Sequence, residues 1–274
     1  MRFSRLAFAA LASSPLLAVQ PALSAPLLAP HRAVYDLVLD DASDRSGITG
    51  LAGRMVYEFN GSPCEGYTVN FRFVTKIDTR DVSRTTDQQT TTFEDGEGKS
   101  FDFVTKSFVE RSLDREVKGS AKVEPGGLKV NLDKPEKQAL DLDKTQFPTH
   151  HLMELIDKAK KGESFYETTL FDGSEDADRV MTTTVVVGKQ APSEKSDPEL
   201  PAMNKLAPDP YWPVEIAYFD LSKDAGGEEI PEYRISFKLH ENGVTRDLLM
   251  DYGDFSMRGK LVNLSLFDAP KPCN

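Results

Sequence analysis

The sequence predicts an all-β, mainly antiparallel fold. It is one large curled sheet of about fourteen strands, forming a spiral or open barrel, with one main helix near 149–160. Three observations carry this. Apolar and polar residues alternate along most of the chain, tight-turn dipeptides separate the alternating runs, and one stretch alone repeats at helical spacing. So many strands in an open sheet would leave long edges, and closing or spiralling removes them.

The first runs lie at 32–39 and 51–59. In 66–78, Val69, Phe71, Phe73, Thr75 and Ile77 face one way, and Thr68, Asn70, Arg72 and Lys76 the other. Further strands are predicted at 81–93, 99–107, 111–124, 127–132 and 138–141. Asn60-Gly61, Asp95-Gly96 and Gly126-Gly127 mark turns, since a glycine there supplies positive φ at low cost. The helix follows. Thr149, after Phe147-Pro148, reads as its N-cap; Leu152, Leu155, Ile156 and Ala159 form an apolar stripe. Lys158, Lys160 and Lys161 suit its negative end and Gly162 closes it. It is placed to plug one end of the curl or to pack inside it. Strands resume at 166–171, 178–189, 211–220, 230–240, 243–252 and 254–267. Tyr233, Ile235, Phe237 and Leu239 oppose Arg234, Ser236, Lys238 and His240, and Asn242-Gly243 gives the strongest hairpin signal. Asp172-Gly173 and Gly226-Gly227 mark the remaining turns. Residues 190–210 carry five prolines and no period, and read as a surface excursion rather than a domain linker.

Residues 1–25 read as a secretory signal: Arg2 and Arg5, an apolar run from Leu6 to Val19, then small residues, with cleavage after Ser24 preferred over Ala25. The run is too short and broken to span a bilayer, and no later stretch is apolar enough. The rest, 26–274, reads as one soluble, exported domain. Removing two arginines and no acid takes the net charge from −11 to −13. Such a surface repels nucleic acid and anionic lipid. Cys64 and Cys273 are the only cysteines, and in an exported chain they read as one disulfide closing a 209-residue span. Two free thiols are the alternative. Glu65, beside Cys64, raises a thiol's pKa and disfavours a nucleophile there.

Recognisable catalytic chemistry is sparse. His150 and Glu154 lie one helical turn apart and could share a metal, but further ligands are lacking and His151 lies on another face. Asp172-Gly173-Ser174-Glu175-Asp176-Ala177-Asp178 is acidic but lacks the glycine and terminal glutamate of a calcium loop, and reads as a solvated turn. There is no nucleophile elbow, phosphate loop or dinucleotide fingerprint, so no cofactor or metal is expected. Phe71, Phe73, Phe101, Phe103 and Phe237 give an aromatic inner face. It reads first as core, and second as a concave surface for a lipid or other apolar ligand.

The chain resembles the cell-envelope integrity protein B (EipB) family of alphaproteobacterial periplasms. The resemblance rests on Ala29-Pro30-His31-Arg32-Ala33-Val34-Tyr35-Asp36-Leu37, Ser46-Gly47-Ile48-Thr49-Gly50 through Phe59, Cys64-Glu65-Gly66-Tyr67, and Phe147-Pro148-Thr149-His150-His151. Tyr211-Trp212-Pro213-Val214 to Phe219, Asn242-Gly243-Val244 to Phe255, and Pro272-Cys273 complete it. It implies a spiral, barrel-like β fold, a Cys64–Cys273 disulfide, and a role in envelope maintenance rather than a reaction. It also suggests a tetratricopeptide-type partner and a likeness to periplasmic lipoprotein carriers, and marks 190–210 as an elaboration of this member. The first expectation is therefore a non-enzymatic periplasmic protein that binds another envelope component. A carrier of lipid or another apolar ligand comes second and a hydrolase a distant third.

Overall fold

A computed structural model describes residues 28–221, 229–270 and 273. The export signal read at 1–25, the Gly226-Gly227 turn and Pro272 lie outside the described residues. The first half is an uninterrupted meander: β1 His31–Ala42, β2 Ile48–Ser62, β3 Gly66–Thr79, β4 Ser83–Glu94, β5 Ser100–Val109, β6 Ser112–Glu124, β7 Gly127–Lys134 and β8 Gln138–Leu142. Helix α1, Pro148–Lys161, then leads to β9 Phe165–Leu170 and β10 Met181–Val187. A short helix α2, Leu200–Met203, precedes β11 Trp212–Phe219, β12 Tyr233–Leu239, β13 Thr245–Asp251 and β14 Phe255–Leu266.

All fourteen strands form one sheet, ordered β8-β7-β6-β5-β4-β3-β2-β1-β14-β13-β12-β11-β10-β9. The chain starts in the middle of the sheet and walks outward by hairpins to β8. It then crosses through α1 to the far edge and walks back until β14 pairs with β1. The two edges are thus neighbours in sequence. They meet through Gln146, which bridges Leu170 and whose carbonyl accepts the Phe171 amide at 3.0 Å. The curl is nearly closed there without becoming a continuous barrel.

Alternation places the inward residues. His31, Ala33, Tyr35 and Leu37 of β1 are buried while Arg32 and Val38 are exposed. Helix α1 plugs one end: Leu155, Ile156 and Ala159 pack against Phe59, Trp212 and Leu239. Its C-terminus is capped by Gly162 at φ 77°, but Thr149 is not the N-cap. Phe147 holds that position with no side-chain cap bond. The buried carboxylate of Glu94, at the end of β4, accepts the Thr149 amide at 2.7 Å and the His150 amide at 3.1 Å instead. A negative group at a helix N-terminus satisfies orphan amides and suits the dipole, whether it is near in sequence or remote.

The Asn60-Gly61 turn is also corrected. β2 runs on to Ser62, Gly61 pairs with Tyr67, and the chain reverses over Pro63–Glu65. Gly61 is needed for close approach: at φ 125°, a Cβ on it would sit 2.0 Å from the Gly66 carbonyl oxygen. The same hairpin carries Cys64. The structure joins Cys64 to Cys273, with Cα atoms 5.8 Å apart, a separation that suits a bridge.

Residues 190–210 are more than a surface excursion. β13 and β14 pair only from Leu248 opposite Gly259 to Asp251 opposite Ser256, then splay apart. The excursion wedges into the gap as a strap. Buried Glu199 accepts the Leu261 amide at 2.5 Å, Asn204 donates to the Leu264 carbonyl at 3.2 Å, and Met203 is buried with Tyr35 and Leu261. It has no period because it follows neither ladder nor helix for long.

Arg246 pins the strap from behind. It is fully buried and donates from Nε to His240 at 3.1 Å, from Nη1 to Asp197, and from Nη2 to Ser193 at 3.0 Å. Burial, then the Arg246 charge, lowers the His240 pKa to about 4, against support from the Pro210 carbonyl and Asp197 and with Lys238 adding repulsion. Below 6.5 the unfolded chain gains this proton first. Stability is therefore fully present above 6.5 and is lost as pH falls toward 4, by up to about 3 kcal/mol. Denaturation midpoints of the parent and of His240→Gln between pH 7.5 and 4.5 check this. The parent is expected to lose more, and parallel curves would contradict it.

Candidate functional site

Opposite α1, the strands open onto a cavity of about 640 Å³. Its wall is assembled from residues far apart in sequence: Met55 of β2, Phe71 and Phe73 of β3, Val117 of β6, Ile235 of β12 and Met250 of β13. Phe71 and Phe73 point inward from alternate positions, their rings 5.9 Å apart and inclined by 15°. Both are half-buried, so part of each ring faces the space. Across it, Tyr218 and Tyr233 lie 5.5 Å apart, Tyr233 and Tyr252 4.9 Å, and Tyr252 and Phe255 5.0 Å. Burial pushes the phenols of Tyr218, Tyr233 and Tyr252 upward in pKa, so they remain neutral donors rather than bases.

The acidic segment 172–178 crosses the mouth. It is the solvated turn that the sequence predicts, with Ser174, Glu175, Asp176 and Asp178 exposed, but it is also anchored to the sheet. Gly173 lies on the Phe103 ring, where a Cβ would come within 2.6 Å, and Ala177 is buried. Asp172 and Glu175 line the cavity; Asp176 pairs with Arg115, and Glu175 with Arg179. Arg179 also reaches Asp220 at 3.3 Å. These ion pairs hold the segment against the sheet.

The five phenylalanines of the predicted inner face do not share one compartment. Phe71 and Phe73 line the cavity. Phe101 and Phe103, each 1% exposed, are sealed in a separate cluster with Phe147 and Phe171. Phe237 is half-buried and packs between the helix-end and central clusters. The three tyrosines went unrecognised as site residues. Alternation places all three on inner faces, Tyr233 with Ile235, Tyr218 with Trp212, Val214 and Ile216, and Tyr252 with Leu248 and Met250, but it does not say which inner residues border the cavity.

The helix-start residues do not converge. His150 Nδ1 meets Glu94, whereas Glu154 accepts from Gln146 and, at 3.4 Å, from Thr168. His151 is buried, its Nε2 3.3 Å from Thr183 Oγ1, and burial lowers its pKa, against a small rise from Glu154. Each side chain has a structural partner of its own.

A family model described as EipB-like matches residues 22–268. The chain is 57% identical over 277 residues to a Brucella abortus (strain 2308) protein named cell envelope integrity protein EipB, covering 99% of this chain and 98% of that one. It is also similar to the solved structure of a β-barrel-like protein of domain of unknown function DUF1849 from Brucella abortus. There the identity is 60% and the TM-score 0.86, with 89% of this chain and all of that chain covered.

Proposed function

The chain belongs to the EipB-like family, and from that premise we propose that it maintains cell-envelope integrity as a non-enzymatic periplasmic protein that holds an apolar ligand in its open-ended curl. The envelope role is supported by the name of the relative that is 57% identical. The cavity carries the ligand reading: about 640 Å³, walled by Phe, Met and Tyr, falls within the range of small-molecule sites. This moves the ligand reading ahead of the protein-partner reading.

Titration with diphenylhexatriene, a neutral apolar fluorophore, tests the proposal. Saturable binding near one per chain is expected. Phe73→Ala is expected to weaken it at least several-fold. Because Phe73 already borders open space, its truncation should cost well under the ~3 kcal/mol at which fully packed Phe truncations begin. Absence of saturable binding in the parent, or a full core-sized loss of stability without loss of affinity, counts against it.

A protein partner is the second reading, and one observation favours it. Phe165 and Val186 are cross-strand neighbours on the outer face at the β9 edge, 62% and 47% exposed. An apolar pair beside a sheet edge suits a docking protein, such as one of the tetratricopeptide type. Native mass spectrometry of protein taken from its own periplasm separates the two. A stoichiometric protein lost in Phe165→Asp supports the partner, and a small co-purifying apolar molecule supports the ligand.

A further inference from the structure

The lining of the cavity also specifies the kind of head group its ligand carries. Among the described residues, the two cations that line the mouth are already engaged. Arg115 meets Asp176, and Arg179 meets Glu175, with Asp220 at 3.3 Å and Glu232 at 3.8 Å. Neither guanidinium is left to neutralise an incoming carboxylate, sulfate or phosphate, so an anionic head would enter uncompensated and at a desolvation cost.

A positive head meets the opposite situation. Asp172 lines the cavity and has no ion-pair partner among the described residues; its Oδ1 accepts the Ser174 amide at 2.9 Å. Its charge reaches Tyr218, whose phenol it pushes further up in pKa after burial has done so. Tyr218 begins the ladder of rings that continues through Tyr233 and Tyr252. Ring faces attract ammonium groups through their quadrupole, and a nearby carboxylate adds Coulomb attraction in a partly desolvated site. Elsewhere in the lining, Phe71, Phe73, Met55 and Met250 offer apolar surface, flanked by the uncharged Gln88, Thr105 and Ser107.

We propose that the cavity binds an amphiphile with an apolar chain and an ammonium head, the chain lying against Phe71 and Phe73 and the head held between Asp172 and the Tyr218–Tyr233–Tyr252 ladder. This rests on the ligand reading above and names the chemical class it takes. A free long-chain amine and the ethanolamine head of a phospholipid present the same ammonium.

The test is displacement of diphenylhexatriene from the full chain by dodecanol, dodecylammonium and laurate. The three share a chain length and differ in head charge. All are used below micelle formation at pH 7.4. Dodecylammonium is expected to compete about tenfold better than laurate, with dodecanol between them. In Asp172→Asn the advantage of the amine over dodecanol should fall about threefold or more, while dodecanol itself competes as before. Tyr252→Leu should reduce the same advantage. Lysophosphatidylethanolamine competing as well as the amine would assign a phospholipid source. Competition by the amine alone would assign a phosphate-free one, and either supports the ammonium site. Equal competition by laurate and dodecylammonium overturns this inference while leaving the ligand reading intact, and so does an amine preference that survives Asp172→Asn. Failure of all three, with no probe binding, removes the ligand reading and this inference together.

Discussion

Replacing Arg246 with methionine is expected to destabilise the protein by about 3–5 kcal/mol, more than a typical single substitution, because it breaks a buried ionic cluster from one side only. Arg246 is fully buried. It meets Asp197, lies 3.5 Å from Glu199, and stacks 5.1 Å over the Tyr211 ring. Asp197 also receives Lys238 at 2.8 Å. Burial opposes its ionisation, but hydrogen bonds from Lys238, the Glu199 amide and Arg246 outweigh this and hold its pKa at about 2. For Glu199 burial dominates and raises the pKa, although the Leu261 and Asp247 amides and the Arg246 charge oppose it. Without the guanidinium, Glu199 is left as a buried carboxylate that has lost its one ion-pair partner among the described residues, and the strap loses its main ionic anchor to β13. Urea midpoints measure the loss. Hydrogen exchange locates it: the Leu261 amide, bonded to Glu199, should lose protection before the amides of the β2–β3 ladder. An unchanged midpoint, or uniform loss of protection, would mean that the strap does not depend on this arginine.

Why this strap escaped a reading of the sequence, when most of the sheet did not, follows from what periodicity reports. Tyr233, Ile235, Phe237 and Leu239 alternate with polar residues, so β12 was legible, and Leu152, Leu155, Ile156 and Ala159 gave α1 by their spacing. The strap follows no such repeat. Its place is created by a bulge in the β12–β13 ladder, where Asp247 adopts φ 53°, and by the short pairing of β13 with β14. Register between strands is a long-range property, and so is the cap on α1, supplied by Glu94 from 55 residues upstream of Thr149. The cavity shows the same boundary. Alternation assigned Phe71, Phe73, Phe101, Phe103 and Phe237 to an inner face, but a curled sheet has height as well as an inside. Phe103 lies near the crossing segment 172–178 and is sealed by it, while Phe73 opens onto the space. Period two gives the face of a strand and says nothing of the level along the curl. Tyr252 shows the limit plainly: one residue beyond the end of β13 it continues the alternation of Leu248 and Met250, yet the period does not say that this level borders the cavity.

Removing the Cys64–Cys273 bridge is expected to have the largest effect of any single change, up to about 5 kcal/mol. In the chain-entropy model that value follows from a closed span of 209 residues. The topology explains why so long a closure matters here. The sheet is completed only when β14 finds β1, more than two hundred residues earlier, and the tail beyond β14 is then fastened to the β2–β3 turn on the far side of β1. A bond that keeps these ends together in the unfolded chain removes much of the search for that pairing. Cys64→Ser should lower the urea midpoint sharply, and Cys64→Ser with Cys273→Ser should match it, since one lost bond accounts for both. Native protein made in an oxidising compartment should take up no alkylating label without reductant. Uptake of two labels would show that the bridge is absent, and equal midpoints for parent and double variant would show that it carries no stability. The bridge sits at the end plugged by α1, away from the cavity. Under conditions where the double variant is folded, it should therefore bind diphenylhexatriene with the parent's affinity. Weaker binding by folded double variant would mean that the fastening of the tail shapes the ligand cavity as well as the fold.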